Sequence, residues 1–238
     1  MSIDLKFTIL KGDNDIYNKS LIFDLETYKY IRMNYNIAGK FIGILTDFKQ
    51  QYNISNLPCE INIFELYWVL NLLKSQEINF TLYYNGHKGI DIESDDSVTD
   101  VNKLVIPFHS KYKLKENQTN FLFNQLKTQL DTSMDYKFYV YLKDKFKYKK
   151  SDGEIQYPCL LSGLKFGGLY NLYTKDPLTI HSKYIVKKFI ENENQSFPLV
   201  QLQSDIRLGS STKKEVLTTF LNPKTHNFES YSFQWAGF

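Results

Sequence analysis

Ser162-Gly163-Leu164-Lys165-Phe166-Gly167-Gly168-Leu169-Tyr170-Asn171-Leu172-Tyr173, continued by Thr174-Lys175-Asp176-Pro177-Leu178-Thr179-Ile180-His181-Ser182-Lys183-Tyr184-Ile185-Val186, is the stretch whose reading decides the fold. Its glycines let the chain enter a strand through a tight approach. The strand ends at Tyr173, and Asp176-Pro177 forces a loop, because a residue before proline is pushed away from helical backbone. His181 then opens the next strand. On composition alone His181 reads as an ordinary strand-end histidine. Tyr173 is one of 18 tyrosines, and Lys214 belongs to the basic run with Lys213.

Working outward, strand-like runs recur at 155–161, 169–173, 182–190, 215–221 and 228–235. Between them Pro198 opens a short helix, with Leu199, Leu202 and Ile206 at helical spacing and Gly209 beyond its end. Upstream, helices are expected over 121–130 and from Asp135, the second with an apolar face of Phe138, Tyr141, Leu142 and Phe146. Ser151-Asp152-Gly153 marks a turn. The expectation is an α+β (α/β) domain over residues 121–238, a mixed sheet flanked by helices.

The first half reads as a small α+β domain over residues 1–84. Short strands at 5–10 and 20–23 surround the polar turn Gly12-Asp13-Asn14-Asp15, and Asp24 is placed to cap a helix over 25–35. Residues 39–45 are apolar with glycines, and a polar loop runs on to Pro58. The best helix of this half spans 62–74, with Ile63, Leu66, Tyr67, Leu70 and Leu73 on one face and Phe64, Trp68 and Leu72 widening it. A strand follows at 78–84. From 85 to 120 the pattern dissolves into a linker with an acidic loop. An EF-hand beginning at Asp91 fails, since its sixth position is Asp96 and its twelfth Asn102.

Composition limits the function classes. The chain has 238 residues, 29 Lys+Arg against 26 Asp+Glu, and a net charge of +3, which excludes a histone-like polycation but leaves room for a local basic patch. Hydrophobic residues at 42% argue against global disorder. The 18 Tyr, 18 Phe and 2 Trp favour strands and offer faces for stacking on bases. Two cysteines, Cys59 and Cys159, read as reduced core residues of a soluble protein in a reducing compartment. No apolar signal core begins the chain, and the longest apolar stretch, 64–73, is too short to span a bilayer. There is no phosphate-binding glycine loop ending in Lys-Ser/Thr. The histidines (His87, His109, His181, His226) are dispersed, and carboxylates do not cluster in the second half, so neither a metal nor another cofactor is expected.

The quoted stretch resembles the tRNA-splicing endonuclease (tRNA-intron lyase) family. The likeness rests on the glycine-flanked Lys-Phe-Gly segment at 163–168, on Tyr173, Asp176-Pro177-Leu178 and His181-Ser182, on Arg207-Leu208-Gly209 with Lys213-Lys214, and on the ending Gln234-Trp235-Ala236-Gly237-Phe238. It is strong over about residues 157–238 and weaker over 23–73, and the middle segment matches nothing. Leu169-Tyr170 and Thr179 depart from the family's more polar pattern. Within the family the nearest likeness is the eukaryotic catalytic subunit that cuts the 3′ splice site.

The resemblance implies a catalytic triad of Tyr173, His181 and Lys214. Tyr173 would remove the ribose 2′ proton; its ordinary pKa is about 10, so a nearby cation such as Lys214 is needed. His181, with an ordinary pKa of about 6.5, would protonate the leaving 5′ oxygen, and Lys214 would meet charge on the phosphate. DNA, lacking the 2′-OH, would not be a substrate. Arg207 and Trp235 would bind RNA by sandwiching a base. The Lys and aromatic alternation from Lys143 to Lys150 reads as a solvated helix end and strand start. Implied partners are intron-containing pre-tRNA, a second catalytic subunit and two structural subunits in a heterotetramer paired through sheet edges. The implied location is the nucleus, or the cytosolic face of the mitochondrial outer membrane in yeast-like organisms. Two other readings compete, a non-catalytic structural subunit of the same complex and a free RNA-binding module. The former lacks the triad; the latter needs a contiguous stacking face and binds without cutting.

Overall fold

A computed structural model describes residues 4–11, 17–44, 55–85, 112–190 and 199–236. The expected turn at 12–15, the loop at 45–54, the acidic loop at 91–100, Pro198 and the last two residues lie outside them. Contacts divide the chain into two compact units, Met1–Met33 with Gly39–Tyr136, and Asn34–Ala38 with Lys137–Phe238.

In the first unit the described strands are β1 (Leu5–Lys11), β2 (Tyr17–Ile22), β3 (Lys40–Ile44), β4 (Ser55–Asn62) and β5 (Phe80–Asn85), ordered β3-β4-β2-β1-β5. β1 and β5 run parallel, and the remaining neighbours are antiparallel. Helix α1 (Leu25–Tyr35) starts where Asp24 predicts, because the Asp24 carboxylate accepts the Thr27 backbone N–H at 3.0 Å. Helix α2 (Ile63–Ser75) opens on a capping box: Asn62 accepts from the Glu65 N–H, and Glu65 accepts from the Asn62 N–H, each at 2.9 Å. Its face of Ile63, Leu66, Tyr67, Leu70 and Leu73 is buried, and α2 packs on β2 and β4. Helix α3 (Glu116–Leu130) adds buried Leu122, Leu126 and Leu130. Its first turn, and Lys113 bridged to Tyr83, occupy the end of the stretch expected to be linker.

The polar loop expected to run to Pro58 ends earlier, since Ser55 already begins β4. Pairing overrides the polar local composition there, for β3 pairs with Ser55 and Asn56. Gly43 permits the close approach; a Cβ at that position would stand 1.9 Å from the Leu57 carbonyl oxygen.

The second unit holds a mixed sheet of β8 (Cys159–Ser162), β9 (Tyr170–Tyr173), β10 (Tyr184–Val186), β11 (Glu215–Leu221) and β12 (Phe228–Phe233), in the order β12-β11-β10-β9-β8. β10 and β11 are parallel, and helix α5 (Leu199–Ser211) lies between them in sequence, as a parallel pair requires. Helix α4 (Met134–Lys145) brings Phe138 into a ring cluster with Phe189 and Phe228, with centroids 5.2 and 5.4 Å away. Lys143, fully buried, donates to the carbonyls of Tyr35 at 3.3 Å and Pro158 at 2.7 Å, and Asn36 donates to Tyr157 at 3.0 Å. Residues 34–38 are thereby fastened to this unit although the sequence around them forms the other. Both cysteines are buried, and neither is in a disulfide.

Three expectations change here. The run 155–161 breaks at Tyr157 and Pro158: β7 (Ile155–Gln156) pairs with β6 (Tyr148–Lys149) in a separate ribbon, and β8 begins after the proline, which has no N–H for a ladder. The run 182–190 keeps only Tyr184–Val186 as strand, with Ile190 bridged to Phe220. Gly209 lies within α5 rather than past its end. It is there for space, because a Cβ would stand 2.8 Å from the Lys214 carbonyl oxygen and 3.1 Å from Val216.

Candidate active site

Three adjacent strands of the second unit's sheet bring the sequence-predicted residues to one end of the sheet. Tyr173 is the last residue of β9, His181 lies in the approach to β10, and Lys214 immediately precedes β11. The register ties these positions together: Tyr184 pairs with Leu172 on one side and with Glu215 on the other. Two hydrogen bonds extend the ladder by a residue, from the Lys183 N–H to the Leu172 carbonyl at 2.9 Å and from the Glu215 N–H to the Lys183 carbonyl at 3.0 Å. Tyr173 and Lys214 therefore flank Lys183, two residues after His181, in register. Tyr173 is half-buried and His181 is exposed.

The loop from Tyr173 to His181 is held by Asp176. Its carboxylate accepts the Leu178 N–H at 2.7 Å, and its carbonyl accepts the Thr179 N–H and hydroxyl, both at 2.9 Å. The Asp176-Pro177 signal thus folds into a defined turn that returns the chain to β10.

Lys214 is held from several sides. Its N–H donates to the Gly209 carbonyl at 2.8 Å, and its ammonium lies 3.5 Å from the Ser182 carbonyl and 5.3 Å from the centroid of the Phe166 ring. Phe166 belongs to the short 3-10 turn Leu164–Phe166, which ends at Gly167 with φ +64°, a conformation suited to glycine. Lys187 donates to the Gly167 carbonyl at 2.7 Å and pairs with Asp205 at 2.8 Å, both side chains being largely buried. Gly163 closes the turn, since a Cβ there would stand 2.7 Å from the Tyr170 backbone. Neither Phe166 nor Gly209 was expected to touch the site. The glycine-flanked Lys-Phe-Gly segment was the available signal for Phe166, but its contact with Lys214 is made across the fold.

Lys183, between the flanking positions in register, adds positive charge. A hydrogen bond with the Tyr184 side chain, and more weakly the charges of Tyr184 and Glu215, hold its pKa above the ordinary lysine value.

The other predicted pair is also brought together. The Arg207 guanidinium of α5 lies 5.0 Å from the centroid of the exposed Trp235 ring, just past β12. That is too close to hold a base between them, which needs roughly 7 Å, two contacts of about 3.5 Å each. As they stand, the guanidinium lies over the ring at cation–π range.

A nuclease domain with this sheet and loop arrangement agrees with comparison to known proteins. The family model for the tRNA intron endonuclease, catalytic C-terminal domain, matches residues 132–227, and that for the TSEN34-like, N-terminal domain matches residues 14–73. The tRNA-splicing endonuclease subunit SEN34 of Saccharomyces cerevisiae is 33% identical over 79 residues, which cover 33% of this chain and 29% of that protein. The probable tRNA-splicing endonuclease subunit sen34 of Schizosaccharomyces pombe is 22% identical over 279 aligned positions, covering 94% of this chain and 96% of that protein. The chain thus matches a TSEN34-like N-terminal domain followed by a tRNA intron endonuclease catalytic domain, and is similar to these two tRNA-splicing endonuclease subunits.

Proposed function

We propose that the chain is the catalytic subunit that cuts intron-containing pre-tRNA at the 3′ splice site, without a metal ion. The observation that carries the reading is the convergence of Tyr173, His181 and Lys214 at one end of three neighbouring strands.

Under this reading Tyr173 takes the proton of the ribose 2′-OH. The 2′ oxygen forms a bond to the adjacent phosphorus, and the bond from phosphorus to the 5′ oxygen breaks. His181 gives its proton to that leaving oxygen. The Lys214 ammonium meets the negative charge that builds on the two non-bridging oxygens. One proton is taken and one is given, so no water or redox partner enters. The products are a 2′,3′-cyclic phosphate and a 5′-OH.

The partners belong to the same proposal: a second catalytic subunit and two structural subunits in a heterotetramer. The open edges of the second unit's sheet, β12 and β8, suit pairing between subunits. The location is part of the proposal as well: the nucleus, or the cytosolic face of the mitochondrial outer membrane. Chemical substitution of the substrate tests the reaction. A 2′-deoxy nucleotide at the 3′ splice site of pre-tRNA should leave that site uncut while the 5′ cut proceeds. Cutting at the deoxy site, or a linear 3′-phosphate as the primary product, would overturn it.

A further inference from the structure

The geometry points to Phe166 as a positioning residue for the Lys214 ammonium, held in place by a brace of Lys187, Asp205 and the Gly167 carbonyl. This inference rests on the proposed role of Lys214 and names the device that aims it.

A lysine ammonium sits on a flexible stem, and on its own it would sample many positions. To stabilise a transition state it must already stand where charge will appear. Here two groups hold it. The Ser182 carbonyl, beside His181 in sequence, stands 3.5 Å away. The ring of Phe166 lies 5.3 Å from the nitrogen, inside the range where an aromatic face attracts a cation. An ammonium has three donors. One turned to Ser182 and one toward the ring still leave a proton for a phosphate oxygen.

A ring can aim a cation only if the ring itself is fixed. Phe166 sits on a three-residue 3-10 turn that buries none of its own side chains, so the turn gains little from packing. Its support is polar instead. Gly167, in left-handed backbone directly after Phe166, presents its carbonyl to Lys187 at 2.7 Å, and Lys187 is neutralised by Asp205 at 2.8 Å. The Phe166 and Gly168 N–H groups both donate to Gly163, at 2.9 and 3.1 Å. Lys187 follows β10 and Asp205 lies on α5, the helix whose Gly209 carbonyl accepts the Lys214 N–H. One helix thus anchors both the backbone of Lys214 and the turn that carries its aromatic seat. This gives the glycine-flanked Lys-Phe-Gly segment a task in the reaction although none of its side chains need touch RNA.

The test uses the assembled enzyme, this chain with its partner subunits, cutting an intron-containing pre-tRNA. Phe166 is replaced by phenylalanines carrying successive ring fluorines, which keep the shape and drain negative charge from the ring face. The single-turnover rate of the 3′ cut should fall stepwise with each fluorine, with KM unchanged. Phe166→Leu should lose roughly tenfold to a hundredfold in kcat, as small misplacements of catalytic groups do, and Phe166→Tyr should recover it. A purely structural ring would give no such slope. Lys214→Ala is run alongside. If it abolishes the cut while the fluorinated series cuts at the wild-type rate, the positioning role is overturned and the proposed function stands. If Lys214→Ala cuts normally, the proposed function falls and this inference with it.

Discussion

The Lys214 ammonium stands 3.5 Å from the carbonyl oxygen of Ser182, the residue that follows His181. Two residues far apart in sequence are thus joined through one backbone oxygen, so a shift in the loop after Tyr173 is felt by the lysine. Lys214→Met should therefore reduce the 3′ cut by roughly a hundredfold to a thousandfold, the usual loss when a preorganised charge stabiliser is removed. Binding of pre-tRNA, measured by filter retention, should change little, since one cation among several contributes only part of the phosphate attraction.

Gly209→Ala reverses the ordinary rule. Where the new side chain fits, such a change stabilises a helix by about 0.4–1 kcal/mol. Here the added Cβ would stand 2.8 Å from the Lys214 carbonyl oxygen, so α5 or the start of β11 must move. The expected result is a loss of about 1–3 kcal/mol by denaturant unfolding, together with a slower 3′ cut.

Lys143→Met tests the fastening of residues 34–38. The substitution keeps the apolar stem but leaves the carbonyls of Tyr35 and Pro158 without the ammonium. Each buried group left unsatisfied costs about 1–3 kcal/mol. The urea midpoint should fall with the slope of the transition unchanged.

Burial, more than the nearby Glu65 charge, pushes the Cys59 thiol from its ordinary 9.0 up to about 12. Between those values the unfolded chain has lost the thiol proton and the folded chain retains it. Stability must then fall as pH rises through that window. Unfolding free energy measured from pH 9 to 12 should decline less steeply in Cys59→Ala than in wild type. Equal slopes would show that burial of this thiol does not govern the alkaline limb.

The Arg207 guanidinium lies over the Trp235 ring at 5.0 Å, so a base can enter between them only by parting them. In a Trp68→Phe background, which leaves Trp235 as the sole tryptophan of this chain, adding pre-tRNA should change the tryptophan fluorescence of the assembled enzyme relative to the same complex with Trp235→Phe. The family resemblance implies that this pair serves the cut of the other catalytic subunit across the interface, so under the proposed function replacing both Arg207 and Trp235 by alanine should impair mainly the 5′ cut. Equal loss at both sites would indicate damage to the fold instead.

What could be read from the sequence was local. Helix α1 begins where Asp24 caps it, α2 (Ile63–Ser75) lies one residue from the expected 62–74, and β11 spans the run from Glu215 to Leu221, because caps, apolar faces and strand-forming runs act over a few residues. What escaped depends on distant neighbours. Gly209 reads as a helix terminator until Lys214 is seen against it, and Ser55 to Pro58 read as loop until β3 pairs with Ser55 and Asn56. The candidate site divides the same way. Residue type and spacing alone left Tyr173, His181 and Lys214 ordinary, and only the family resemblance picked them out. Their meeting at one sheet end follows from the register of β9, β10 and β11, and the Phe166 ring under Lys214 from a contact that no local pattern encodes.

The most direct measurement is the 3′ cut made by the assembled complex carrying His181→Ala, with end-labelled pre-tRNA and excess chelator present. The account predicts that the 3′ product disappears while the 5′ product persists, and that the wild-type complex cuts both sites in chelator. Undiminished 3′ cutting by the variant would contradict the catalytic role assigned to this chain.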